Sequence, residues 1–268
     1  MSADRTPKAY RQPKPGRPPK ACRLPKPLGS RLLNVLEPLL LISVLVALAC
    51  CALFRVRQTG LLSALIVLMA LAFFMLRFEG LQVKPRDIMP IVVMVAIAVA
   101  LRIFLTPFPN FQPVSAIVII TGIGFGRRSG FMTGALAALV SNLFMGQGPW
   151  TPWQMYVWGM MGYAAGALAT TSWFRQRWQV CIFGGIAAEF YGLVLDTYSV
   201  FAFFNASTLP TILAVYSGGF AFNVVHILST AAFLWLTYRP WMKQLDRIKQ
   251  KYGIGSEGIS RAPNEMVR

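Results

Sequence analysis

Phe144-Met145-Gly146-Gln147-Gly148-Pro149-Trp150-Thr151-Pro152-Trp153-Gln154 is the stretch on which the division of this chain turns. It interrupts an almost unbroken run of apolar sequence. Its two prolines and two glycines forbid a helix through the middle. Two tryptophans and two glutamines give the break flat faces and amide hydrogen-bonding groups. A bare connector between membrane helices needs only a few small polar residues, so this one is built for contact.

On both sides the sequence is continuous and apolar. Hydrophobic residues make up 56% of the 268 and charged residues only 13%, and mean hydropathy is positive. That composition defines an all-α integral membrane protein. A β-barrel would show short alternating segments instead. Eight spans are expected. The first two, at 33–54 and 61–76, form a hairpin, and a charged linker at 77–87 follows. The remaining six are placed at 88–106, 114–125, 130–145, 152–172, 178–201 and 212–237. The chain thus divides into a basic, Pro-rich disordered tail (1–31), a two-helix hairpin (32–80), a six-helix core (81–238) and a basic segment (239–268).

The net charge of +17 invites a nucleic-acid reading, but its distribution argues against one. With the amino terminus inside, every Lys and Arg except Arg55, Arg57 and Arg102 falls in the tails or the inner connectors. Such asymmetry sets topology and places both termini in the cytoplasm. The tail is suited to anionic lipid headgroups. On the outer face the same count leaves three loops, 107–113, 146–154 and 202–211.

Few residues offer chemistry. Cys22, Cys50, Cys51 and Cys181 show no metal spacing, and His226 has no second ligand beside it, so no metal site is expected. Gly122-Ile123-Gly124-Phe125-Gly126 lacks the lysine of a nucleotide loop. Intramembrane ionisable groups are costly and therefore informative. Glu189 and Asp196 lie two turns apart on one face, and Asn223 and His226 share a face of the last span. Glu189 and His226 reach similar depth, which suits a structural hydrogen bond or ion pair; Asp196 lies nearer the outer surface. Arg102, at the outer end of its helix, has two readings of equal weight, a side chain that snorkels to the interface and a functional one. The Gly130/Gly134 and Gly162/Gly166 pairs read as packing inside the bundle, while Ala96/Ala100 could face another subunit. Phe108, Phe111, Trp150, Trp153, Tyr156 and Trp158 crowd the outer loops with Asn110, Gln112, Asn142, Gln147 and Gln154. An interfacial aromatic belt explains the rings alone. Rings with amides suit a large, neutral, amide-bearing ligand.

Phe111-Gln112-Pro113-Val114-Ser115-Ala116 and the stretch 141–155 resemble the substrate-specific subunits (S components) of energy-coupling factor (ECF) vitamin transporters, in the branch similar to cobalamin-specific members. The resemblance runs over 33–252 and is sharpest over 85–166. It implies a six-helix core preceded here by the two-helix hairpin. It also implies substrate capture by the three outer loops, through Phe108, Asn110, Phe111, Gln112, Asn142, Gln147, Trp150, Trp153, Gln154 and Asp196. Ala96-x-x-x-Ala100 would dock a transmembrane scaffold subunit, and a pair of partner ATPases would use ATP, leaving this chain without a cofactor of its own. Glu189, Asn223 and His226 are read as structural polar groups. The rival readings are an S component for another vitamin or nucleobase-like precursor, a membrane enzyme using Glu189, Asp196 and His226, and a structural assembly factor.

Overall fold

The computed structural model describes residues 38–39, 42–44, 46, 68–69, 72, 85–171, 174, 176–203 and 208–252. The chain divides after Pro38, and the unit Leu39–Arg268 holds every element named below. The expected tail and most of the expected hairpin lie outside the described residues.

From residue 85 onward the described residues form helices α1 (Pro85–Phe104), α2 (Val114–Phe125), α3 (Arg127–Met145), α4 (Thr151–Leu168), α5 (Arg177–Phe203) and α6 (Leu209–Tyr252). Among the described residues there is no strand. The six correspond one for one to the six core spans read from the sequence. Two of them, α5 and α6, are long and apolar enough to cross a membrane by themselves.

The short α2 is the spine. Its sequence, VSAIVIITGIGF, is apolar all round, and such a helix must be covered on every side. It touches each of the other five helices, and Val118, Ile119 and Ala116 are sealed. At 12 residues it measures about 18 Å, well short of the roughly 30 Å of a bilayer core. Its hydroxyls are quieted locally: Thr121 Oγ1 donates to the Ile117 carbonyl at 2.7 Å.

Helices α2, α3 and α4 meet through glycine. A Cβ on Gly162 would run into the Gly130 carbonyl, one on Gly122 into the Gly162 carbonyl, and one on Gly134 into the Trp158 carbonyl. The glycine pairs therefore pack inside the bundle, as their spacing predicts, and let backbones approach where any side chain would hold them apart.

Two helix ends shape the loop region. Gly146, at φ 111°, stops α3 while its N–H bonds the Asn142 carbonyl at 2.9 Å. Asn110 takes φ 55° between α1 and α2, a left-handed conformation that asparagine tolerates better than most side chains. At the other end of the fold, α6 does not pause at residue 238. It runs 44 residues through Pro240, and Met242 and Leu245 join the same apolar core as α2.

Candidate functional site

The polar residues of the bundle gather where the 107–113 and 146–154 loops meet α1, α3 and α4, and Arg102 is their centre. Its side chain is only 6% exposed; of the two readings open for it, it turns into the protein and does not snorkel. The reason is geometric. The last turn of α1 lies against the last turn of α3, whose polar side chains and carbonyl end offer the guanidinium better partners than lipid does. Nε donates to Gln112 Oε1 at 3.2 Å, and Nη1 donates to Asn142 Oδ1 at 3.0 Å and to Ser141 Oγ. The guanidinium also lies over the Trp158 ring, 4.8 Å from its centroid.

Asn142 extends the layer. Its Nδ2 donates to Thr151 Oγ1 at 3.0 Å and to Gln154 Oε1 at 2.7 Å. Thr151 in turn holds the loop, because its N–H donates to the Gly148 carbonyl at 2.9 Å. Thus Gln112, Asn142 and Gln154, picked out separately from the sequence, belong to one network spanning two loops.

Beneath this layer stands a buried column. Trp158 stacks on Tyr191 (centroids 4.8 Å, 24°), and Tyr191 meets His226 edge-on at 5.0 Å. Ser115 Oγ accepts from Trp158 Nε1 at 3.1 Å and lies 2.8 Å from His226 Nε2. His226 therefore pairs with Ser115 on α2, not with Glu189 as its depth suggests. The central position of α2 brings Ser115 within reach, and the Tyr191 ring occupies the side that α5 presents. Asn223 Nδ2 instead donates to Asp196 Oδ2 at 2.9 Å, on the α5–α6 seam beside Gly219. Acid/base work by Glu189, Asp196 and His226 together finds no support here, since Asp196 and His226 are tied to different partners.

This arrangement makes a stability contrast. His226→Ala removes the partner of buried Ser115 and should cost about 1–3 kcal/mol, whereas Glu189→Gln should stay within about 0.5 kcal/mol. Thermal unfolding of the purified protein in detergent measures both. Equal losses in the two variants would mean that the Ser115–His226 contact does not hold this column.

The other expected ligand residues are placed as follows. Phe108 and Phe111 are 59% and 39% exposed and meet edge-on at 6.4 Å; Phe111 also lies 5.4 Å from Phe233. Asn110 is committed to α6: its Nδ2 donates to the Phe222 carbonyl at 3.1 Å, and its own carbonyl accepts from Ser229 Oγ at 3.2 Å. Gln147 is exposed and donates to the Leu139 carbonyl at 3.1 Å. Trp150 is half-buried with its ring against Gly148. Trp153 is 6% exposed and packs on Tyr198 at 5.4 Å, yet its Nε1–H has no acceptor among the described residues. Residues 204–207 of the third loop lie outside the described residues. Ser115, Ser141, Thr151 and Tyr191 were not singled out as site residues from the sequence, and Trp158 was read only as one of the loop aromatics. Serine, threonine and aromatic residues are ordinary in membrane helices, and only the fold gives these five common partners.

Ala96 and Ala100 face away from the bundle, on an exposed stripe with Val92, Val93, Ile103 and Phe104. Ala98, between them, is sealed in the core.

The described core is a helical bundle with a buried polar layer where two of its loops meet α1, α3 and α4. The family model described as "ECF-type riboflavin transporter, S component" matches residues 82–235, more than half of the chain. The chain belongs to that family: it is a membrane-embedded substrate-binding subunit of an ECF transporter, a partner of scaffold and ATPase subunits, and not an enzyme. No curated protein and no solved structure matches it.

Proposed function

We propose that this S component captures cobalamin or a related corrinoid from outside the cell and releases it inside by reorienting against the scaffold. Both termini lie in the cytoplasm on this reading, and the 107–113 and 146–154 loops receive the solute. The observation that carries it is the layer around Arg102. There the amides of Gln112, Asn142 and Gln154 bind one network, with exposed Phe108 and Phe111 on the neighbouring loop. Flat rings beside amide groups suit a large ring system fringed with amides. The exposed Ala96/Ala100 stripe of α1 serves as the docking face, where small residues allow a partner helix to approach closely.

A second reading is riboflavin, favoured by the description of the matched family. Equilibrium binding to the purified chain separates the two, with radiolabelled cobalamin in one arm and quenching of riboflavin fluorescence in the other. Saturable cobalamin binding without riboflavin binding is expected. The reverse result replaces the corrinoid by a flavin, and binding of neither removes both.

A further inference from the structure

Arg102 carries a positive charge into the interior with no counter-charge among the described residues. All of its hydrogen-bond partners are neutral: Gln112, Ser141 and Asn142. Those bonds use Nε and Nη1, and Nη2 is left without an acceptor among the described residues. Buried charges are rarely left in that state, because removing an ion from water costs several kcal/mol unless another charge or a full set of hydrogen bonds replaces the hydration. The carbonyl ends of α1 and α3 bring partial negative charge to the guanidinium, but among the described residues no side-chain acceptor meets Nη2.

A second unfilled donor belongs to the same end of the fold. Trp153, one residue before the Gln154 that closes the Arg102–Asn142 network, is nine-tenths buried, and its Nε1–H has no acceptor among the described residues. Indole N–H and guanidinium are donor-only groups. The charged one of the two, Arg102, calls for an acceptor that is negative.

We propose that Arg102 reads an oxyanion on the captured solute, so that the substrate class is a large ring compound carrying a phosphate ester or diester; in a corrinoid the group is the phosphodiester of the nucleotide loop. This rests on the capture reading above and adds a requirement that it does not contain. Guanidinium suits this task because its planar fork presents paired N–H donors to oxyanions. Arg102 ties α1 to α3, and on binding it meets the solute's charge under the loops.

The test compares solutes with and without the phosphate on the purified full-length chain. Wild type should bind cobinamide phosphate roughly ten- to a hundredfold tighter than cobinamide, from which it differs by the phosphate alone. Arg102→Gln should bring that ratio to within about threefold, and Arg102→Lys should retain part of it. Equal wild-type affinities overturn the assignment, as does an Arg102→Gln variant that loses the same factor from both solutes. If Arg102→Gln does not fold, the wild-type ratio decides alone. If neither corrinoid binds, flavin mononucleotide against riboflavin repeats the comparison with the phosphate as the only difference. Preference for the mononucleotide keeps Arg102 as the oxyanion reader while the corrinoid reading falls. Riboflavin binding as well or better removes the oxyanion reader and leaves capture intact. Binding in neither pair removes both.

Discussion

Gly162→Val is expected to destroy the fold. Gly162 lies where α4 crosses α3, and a Cβ there would run into the Gly130 carbonyl and lie 2.8 Å from Val118 Cγ1. The reverse holds too, since Cβ atoms on Gly130 and Gly122 would both run into the Gly162 carbonyl. A side chain that meets another side chain can find a new rotamer, but here the obstacle is backbone. Helices α2, α3 and α4 would have to separate together, opening the core around Val118 and Phe131, both sealed in the native packing. Overpacking ordinarily costs about 1–3 kcal/mol. A displaced three-helix crossing should exceed about 3 kcal/mol, a large part of a typical domain's stability. The yield of monodisperse protein after size exclusion, followed by thermal unfolding, reports the loss. Gly218→Ala is the control, because a Cβ there meets nothing within 4 Å. Near-native stability of Gly162→Val would show that these helices do not cross at this point.

Placing leucine at both Ala96 and Ala100 should abolish transport by the assembled complex and leave solitary binding within about twofold. Both alanines are exposed on α1 and make no part of the core. Leucine is compatible with lipid, so insertion should be unaffected. An arginine pair at these positions would add about 2.5–3.5 kcal/mol per charge at the helix centre and confuse docking with insertion. What leucine blocks is close approach of a partner helix, which depends on small residues. Uptake in membrane vesicles containing the scaffold and ATPase subunits, set beside solute binding by the isolated chain, separates the two roles. Loss of solitary binding would return Ala96 and Ala100 to internal packing, and unchanged transport would move the docking face elsewhere.

Hydrophobic continuity and its interruptions made the six core helices legible, because a membrane helix must satisfy its own backbone and needs about 20 apolar residues in the common case. The apolar run 114–125 was visible as a short helix, but its role as the spine was not, since an all-apolar helix shows no face. Glycine spacing foretold close packing, and the two alanines lie on an exposed apolar stripe of α1. Side-chain partners were far less legible. Gln112, Asn142 and Gln154 stood out as amides crowded near aromatic residues, whereas their junction at Arg102 spans 40 residues of sequence. Arg102 itself was left between two readings for a physical reason. A cation near a helix end can reach water or turn inward, and the choice depends on what the neighbouring helix offers.

The sequence by itself determined that the chain is a bundle of membrane helices with a few elaborate breaks, because the bilayer's demand for apolar length and internally satisfied backbone is written residue by residue. Only the tertiary structure decided which polar groups meet. Thus His226 went to Ser115, Asn223 to Asp196, and Arg102 to the end of α3. A buried polar side chain is settled by partners within about 3 Å, and those partners come from helices whose relative rotation no single stretch of sequence specifies.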